Sequence, residues 1–143
     1  MASWCGCSSS CSAHLARPAW FDDVYGKQGL KGSASFSMQF AVGEALPLYA
    51  GGLGILAGAS LKAARDTGVP ITWIGMFYSE GYFRQIIDAE GRQHETYPAN
   101  DPRSLPIATA RVADGTPLEV ELGLPGRNLV LRVWEARVGR VRL

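Results

Sequence analysis

Three glycines stand in the run Tyr49-Ala-Gly-Gly-Leu-Gly-Ile-Leu-Ala57, just before a segment with helical periodicity. Because glycine has no Cβ, a backbone that contains it can turn tightly and let a ligand approach the peptide plane. The N–H groups of a first helical turn have no acceptor inside the helix and can donate to an anion. The pattern therefore predicts either a loop that binds phosphate or sugar hydroxyls, or a plain strand-to-helix turn.

The spacing of these glycines fits neither of the two common nucleotide fingerprints. The sequence has no G-x-x-x-x-G-K-[ST] motif, because Lys62 lies well beyond the loop. Gly52, Gly54 and Gly58 follow the spacing G-x-G-x-x-x-G, which differs from the dinucleotide pattern G-x-G-x-x-G. The loop therefore does not indicate a nucleotide site.

Four sequence blocks occur in a fixed order around the glycine run. Together they resemble the bacterial branch of the α-glucan phosphorylases, the family of glycogen, starch and maltodextrin phosphorylases. The resemblance extends from about Lys31 to Leu143, so it covers most of the chain. The blocks are Ser35-Phe-Ser-Met-Gln-Phe40, Glu44-Ala-Leu-Pro-Leu-Tyr-Ala-Gly-Gly-Leu-Gly54, Leu61-Lys-Ala-Ala-Arg-Asp-Thr-Gly-Val-Pro70 and Gly81-Tyr-Phe-Arg-Gln85.

The resemblance implies a glycosyltransferase activity. In this family inorganic phosphate cleaves the terminal α-1,4-linked glucose of a glucan and releases glucose 1-phosphate with retained configuration. Pyridoxal phosphate, held as a Schiff base on a lysine of the C-terminal domain, supplies its phosphate group for acid–base chemistry instead of acting as an electron sink. The implied partners are an α-1,4-glucan, inorganic phosphate, the C-terminal domain and further copies of the enzyme in a homo-oligomer.

The same resemblance assigns roles to individual residues. Gly51 and Gly52 match the glycines whose N–H groups face the substrate and cofactor phosphates, and Leu53 matches a residue whose backbone contacts the glucosyl unit. Fixed donors of this kind stabilise phosphate charge without reorganising during the reaction. Gln39 stands where the family usually has a glutamate near the active site, and its amide keeps the hydrogen-bonding reach but loses the charge. Ala59-Ser60 stands where the bacterial branch commonly has Asp-His.

The cofactor lysine and a complete catalytic set are expected to lie outside this chain. Its lysines are Lys27, Lys31 and Lys62, and none of them stands in a block that resembles the family's cofactor site. The family's C-terminal domain, with its phosphate-binding and catalytic side chains, has no counterpart in the sequence. We therefore expect the chain to be a fragment of such an enzyme and to be inactive alone.

The composition is that of an ordinary globular domain. The chain has 143 residues, of which 47% are hydrophobic and 19% are charged, and its formal net charge is +1. This length can bury the core of one modest domain. A charge this small argues against a dominant nucleic-acid or anionic-membrane partner. With no apolar stretch long enough to span a bilayer and no secretory signal, the sequence predicts a cytoplasmic protein.

Three cysteines and one histidine lie close together in a serine-rich N-terminal stretch. They are a weak candidate for a Cys₃His zinc site, because no periodic structure surrounds them, and a disordered extension is the alternative. The residues are Cys5, Cys7, Cys11 and His14. We expect residues 1–31 to be tail and connector, disordered in part, and residues 32–143 to be the truncated N-terminal part of a phosphorylase N-terminal domain.

The middle of the chain predicts a βαβ unit. Residues 34–40 alternate with the period of a half-buried strand, and residues 71–78 form a near-continuous apolar run typical of a buried parallel strand. Between them, apolar side chains share one helical face, and Gly68 ends the helix. That face carries Leu53, Leu56, Ala57, Leu61 and Ala64. The unit predicts a parallel sheet with a right-handed crossover. The resemblance adds that this α/β unit belongs to an incomplete Rossmann-like domain of a GT-B-type glycosyltransferase fold.

The second half of the chain favours β-hairpins. Residues 82–88 and 92–97 flank one turn that contains glycine, and residues 118–122 and 129–134 flank another. A last alternating run, residues 136–143, is expected to have no turn, cap or strand partner. The sequence therefore predicts a hairpin-rich second half that is cut inside a sheet.

Two other functions share part of this pattern. A glycogen or starch synthase also has a Gly-Gly-Leu loop, but there a lysine typically stands two residues before the doubled glycine, where this chain has Tyr49. A non-catalytic glucan-binding module needs an exposed aromatic platform. We expect most of the candidate aromatic residues to be buried in strands instead: Trp73, Tyr78, Tyr82 and Phe83.

Overall fold

The predicted βαβ unit is present in the structure. The computed structural model describes residues 13, 15–26, 29–30, 32–48 and 51–143. A short helix α1 (Trp20–Tyr25) precedes strand β1 (Ser33–Phe36), helix α2 (Gly52–Thr67) and strand β2 (Ile71–Ile74). Strands β1 and β2 pair in parallel, with Ser33 opposite Ile71 and Phe36 opposite Ile74. The parallel pairing confirms the parallel strand predicted from the apolar run. The predicted extent and burial are wrong, because β2 ends at Ile74 and only Trp73 in it is fully buried.

The end of α2 follows the expected glycine chemistry. Gly68 adopts the left-handed conformation with φ 76°, and its N–H donates to the carbonyl oxygen of Ala64 at 2.9 Å. Glycine reaches this conformation without steric cost, and the proline two residues later cannot continue a helix. The chain therefore leaves α2 abruptly and enters β2 after three residues, Gly68-Val-Pro70.

The last residues of the chain complete a four-stranded sheet. Strands β9 (Arg137–Val138) and β10 (Val141–Arg142) form a small antiparallel pair around Gly139, whose φ is 63°. β10 also pairs with β2 in parallel, so the sheet order is β1-β2-β10-β9. The expectation that residues 136–143 have no turn or partner is wrong. A turn reverses the run, and an alternating pattern alone does not show where a strand folds back.

Both predicted hairpins are confirmed. β3 (Arg84–Ile87) pairs with β4 (Gln93–Thr96), and β6 (Glu119–Leu124) pairs with β7 (Arg127–Arg132). Their turns contain Gly91 and Gly126, with φ of 79° and 78°. A 3₁₀ turn (Pro102–Ser104) and strand β5 (Ala108–Thr109) lie between the hairpins, and β5 pairs with β8 (Trp134–Glu135).

The buried core joins α2 to the sheet and to the loop that follows β1. Phe40 and Leu61 are its most deeply buried large side chains, at 2% and 0% exposure. The rings of Phe40 and Trp73 are nearly perpendicular, at 88°, with centroids 6.0 Å apart, which is a favourable T-shaped geometry. The full cluster consists of Phe40, Val42, Leu46, Leu61, Ala64, Trp73, Ala136, Val138 and Val141.

The buried face of α2 differs from the predicted one. Leu53 and Leu56 are 63% and 66% exposed, whereas Gly54 and Gly58 are buried. A Cβ on Gly58 would overlap the carbonyl oxygen of Ala41, so the helix backbone packs directly on that segment. Apolar periodicity cannot identify a face that is buried through glycine, because glycine has no side chain to count. The predicted positions Leu61 and Ala64 are buried as expected.

The strand before the glycine loop is shorter and more exposed than the alternation predicts. β1 ends at Phe36, which is 75% exposed, and its register partner Ile74 is 42% exposed. Met38 is 61% exposed, and only Phe40 turns into the core. One side of the parallel pair is therefore not covered by the residues that the structure describes.

The expected burial of the aromatic residues holds for Trp73 alone. Tyr78 is half-buried, and Tyr82 and Phe83 are 53% and 48% exposed. The ring of Phe83 lies 6.2 Å from that of Tyr97 on the β3–β4 hairpin. Aromatic burial therefore does not argue against a glucan-binding module.

The described part of the chain is a mixed α/β structure. None of its helices has both the length and the apolar character that crossing a membrane requires.

Candidate functional site

The glycine loop ends in the N-terminus of α2. Gly51 is the N-cap residue with extended backbone angles, φ −95° and ψ −158°, and its carbonyl oxygen accepts the first helical bond from Ile55 N–H at 3.2 Å. The N–H groups of Gly52, Leu53 and Gly54 belong to the first turn, where a helix offers no acceptor. That turn carries no acidic side chain, so nothing within it offsets the positive end of the helix dipole.

Gln39 contacts this loop directly. Its side-chain oxygen Oε1 accepts a hydrogen bond from the backbone N–H of Gly51 at 2.8 Å. The side chain is half-buried, and the backbone of Gln39 is held by Ser37, whose hydroxyl donates to Gln39 O at 2.8 Å. The structure thus brings together Gln39 and Gly51, which the sequence analysis singled out separately.

A second contact ties the same segment to the first turn of α2. The N–H of Ala41 donates to the carbonyl oxygen of Gly54 at 2.9 Å. Gln39 and Ala41 therefore contact the helix at its N-cap residue, Gly51, and at the third residue of its first turn, Gly54. The close packing of Gly58 on Ala41 permits this arrangement.

Tyr82 also lies at the loop, a position that is absent from the sequence-based predictions. Its hydroxyl oxygen would be 3.9 Å from a Cβ placed on Gly51, and Gln39 Oε1 would be 3.3 Å from the same point. The signal was present in the block Gly81-Tyr-Phe-Arg-Gln85, which resembles the family but was not assigned to the site. Among the residues that the structure describes, no atom lies within 4 Å of a Cβ placed on Gly52, so these residues leave space open beside the loop.

The other candidate positions are exposed and stand apart from these contacts. Leu53 points its side chain to the surface, which is compatible with a role for its backbone alone. Ala59 and Ser60 are exposed on α2, and the hydroxyl of Ser60 donates to Leu56 O at 2.9 Å. Lys62 is exposed on the same helix.

The structure does not describe the candidate zinc ligands. Cys5, Cys7, Cys11 and His14 lie outside the described residues. Within the residues that are described, no group of three or more histidine, cysteine, aspartate or glutamate side chains could hold a metal ion.

Perturbed carboxylates occur in turns away from the glycine loop. Three aspartates have a pKa below the ordinary value, and in each the largest cause is a side-chain hydrogen bond to the ionised form. The pairs are Asp88 with His94, Asp101 with Arg103 and Asp114 with Thr116. These groups stabilise turns, and none of them belongs to the glycine loop.

The fold and loop define a class of protein segment: a parallel α/β unit whose helix starts at a glycine loop that Gln39 contacts. No protein-family model matches the chain. Glycogen phosphorylase of Mycobacterium tuberculosis is 50% identical over 137 residues, which is 91% of this chain and 16% of the relative. Maltodextrin phosphorylase of Thermococcus litoralis is 42% identical over 106 residues, 74% of this chain and 13% of the relative. Glycogen phosphorylase of Aquifex aeolicus is 29% identical over 130 residues, 91% of this chain and 18% of the relative.

These similarities confirm the resemblance found in the sequence. The chain is homologous to a part of the α-glucan phosphorylases, and it spans about a sixth of the length of the curated relatives it matches. A match over 91% of the chain includes Gln39 and residues 51–53, which lie far from both ends.

Proposed function

We propose that this chain forms the glycine-loop side of the active-site cleft in an α-glucan phosphorylase. The complete enzyme would use inorganic phosphate to release glucose 1-phosphate from the end of an α-1,4-glucan. The 50% identity to a glycogen phosphorylase across 91% of the chain carries this proposal. The names of the relatives favour it over the synthase-like and glucan-binding alternatives.

The loop geometry agrees with the proposed roles of Gly51, Gly52 and Leu53. Donors in the first turn of α2 have no helical acceptor, and no described residue fills the space beside Gly52. Fixed N–H groups at a helix N-terminus bind phosphate oxygens well and need no reorganisation during a reaction. In this proposal the N–H groups face phosphate, while the backbone of Leu53 contacts the sugar.

The residues present also fit one edge of a pyridoxal phosphate site. The absence of acidic side chains from the first turn of α2 leaves its N–H groups free of competing charge from that turn. Such donors can stabilise a phosphate dianion. When bound, the cofactor would supply a phosphate group for proton transfer. Its lysine would come from another domain, since Lys62 is exposed and stands in no cofactor-like block.

The remaining features of the proposal concern the complete enzyme. The parallel unit of β1, α2 and β2 would be part of a Rossmann-like domain in a GT-B-type fold, with residues 32–143 in its N-terminal domain and residues 1–31 as tail and connector. The enzyme would be a cytoplasmic homo-oligomer.

A chimeric enzyme tests this proposal. The chimera is M. tuberculosis glycogen phosphorylase in which the matching segment is replaced by this chain. We expect it to form glucose 1-phosphate from maltodextrin and phosphate. A folded chimera that retains pyridoxal phosphate but shows no phosphorolysis would contradict the proposed role of the segment.

The isolated chain provides the complementary test. Without the cofactor lysine it should neither bind pyridoxal phosphate nor form glucose 1-phosphate. Schiff-base absorbance that borohydride traps on Lys62 would overturn this expectation.

A further inference from the structure

We propose that Gln39 is a positioning residue, which holds the glycine loop in place by accepting the N–H of Gly51. The proposal rests on the proposed function for its catalytic meaning, but the contact itself can be tested without that function. It also assigns a reason to the amide at this position, where the family usually has a glutamate.

Hydrogen bonds and core packing hold the backbone before and after Gln39 in place. Ser37 N–H donates to Ile74 O of β2 at 3.0 Å, and the hydroxyl of Tyr78 donates to Met38 O at 3.3 Å. On the other side of Gln39, the ring of Phe40 is 2% exposed in the core. A side chain attached to backbone held in this way has few alternative positions, so Gln39 Oε1 is a fixed acceptor for the loop.

The hydrogen bond from Gly51 to Gln39 satisfies a backbone N–H for which the helix has no acceptor. The N–H of an N-cap residue has no helical acceptor, and in many helices a Glu or Gln three residues later accepts it. Here the residue three positions after Gly51 is Gly54, which has no side chain. Gln39 therefore supplies, from 12 residues earlier in the chain, the acceptor that the helix lacks.

This geometry indicates hydrogen-bond acceptance and does not require proton transfer. An amide oxygen and a carboxylate oxygen both accept from a backbone N–H, so glutamine and glutamate can place the loop in the same way. A carboxylate at this point would be held in its ionised form by the N–H bond and the helix terminus. The exchange of Glu for Gln would thus preserve loop position.

Hydrogen exchange on the chimera, read at single-residue resolution, tests the contact in a folded protein. In Gln39→Leu the Gly51 amide should exchange about two- to tenfold faster, the range expected for loss of one net hydrogen bond. Gln39→Glu should retain the protection. Gln93→Leu, a change of the same type on the exposed strand β4, should leave Gly51 unaffected. Unchanged Gly51 exchange in Gln39→Leu would overturn the proposal. If that variant fails to fold, Gln39→Asn, which shortens the reach by one methylene, provides the same comparison.

The chimera then separates positioning from proton transfer. We expect Gln39→Leu to lower kcat by about tenfold or more, because the Gly51 donor is misplaced. Gln39→Glu should keep both the kcat and the pH profile of the unaltered chimera. A new acidic limb in the Gln39→Glu profile would show proton transfer and overturn the positioning role. An inactive chimera with the unaltered segment would reject the proposed function, while hydrogen exchange would still decide the Gln39 contact.

Discussion

At the scale of single residues, two glycines of α2 have different surroundings and therefore different roles. Gly52 borders open space at the helix N-terminus, whereas Gly58 faces the carbonyl oxygen of Ala41. Neither Gly51 nor Gly52 is among the described glycines with positive φ. A side chain at Gly52 therefore need not strain the backbone, and its effect would fall on whatever occupies the space beside the loop.

Gly52→Val in the chimera should fold normally and lose turnover. The valine keeps its backbone N–H, but its side chain would hold a phosphate away from the donors of the loop. Losing the use of one well-placed donor typically costs about 10²-fold or more in rate. Steady-state phosphorolysis and the melting temperature measure the two effects separately. Turnover within about twofold of the unaltered chimera would mean that the loop is structural only.

Gly58→Ala should destabilise the same chimera. The added methyl group overlaps backbone atoms that cannot rotate away, and overpacking of this kind costs about 1–3 kcal/mol. Gly52→Ala is the matched control, because the new methyl group would meet no atom of the described part of the chain within 4 Å. Thermal unfolding should rank Gly58→Ala clearly below Gly52→Ala, and equal stability would argue against close packing of α2 on Ala41.

At the scale of elements, the β3–β4 hairpin depends on one carboxylate. Asp88 Oδ1 accepts from the backbone N–H groups of Glu90 and Arg92 at 3.0 and 2.8 Å. Its Oδ2 contacts Arg92 Nε at 3.0 Å and His94 Nε2 at 2.7 Å. The hydrogen bond with His94 is the largest cause of the lowered pKa of Asp88, followed by the backbone bond from Arg92. Every one of these contacts favours the ionised form.

Acidification should loosen this hairpin through Asp88. Because the pKa of Asp88 is lower in the folded state, its contribution to stability is present above the unfolded-state pKa of about 4 and is lost as the pH falls through the folded-state pKa. Exchange protection factors of residues 84–96, measured from pH 5 to about pH 2 on the chimera, should therefore fall. Asp88→Asn should flatten this dependence, whereas Asp23→Asn in α1 should not. An identical fall in both variants would exclude Asp88 as the cause.

At the scale of the whole molecule, much apolar surface is exposed. Several large apolar side chains are more than half exposed, among them Phe36, Met38, Leu53, Ile55, Leu56, Ile87 and Val130. Apolar surface on this scale usually marks a site of contact with other protein.

We expect the isolated chain to associate or to be partly molten. The exposed apolar side chains and the edge strand β1 both favour pairing with other chains. Sedimentation across a concentration series, combined with a denaturant melt, would measure this. A monodisperse monomer with one sharp cooperative transition would show that these residues close their own core.

The sequence by itself determined the features that local chemistry controls. The turn glycines at 91 and 126 predicted both hairpins, Gly68 predicted the end of α2, and the apolar run at residues 71–78 predicted a parallel strand. Only the tertiary structure decided which face of α2 is buried, since that face packs through Gly54 and Gly58. It also decided that residues 136–143 fold back onto β2, and that Gln39 and Tyr82 lie at Gly51. These outcomes depend on contacts between residues distant in the chain, and neither periodicity nor motif spacing encodes which distant partner a backbone group will meet.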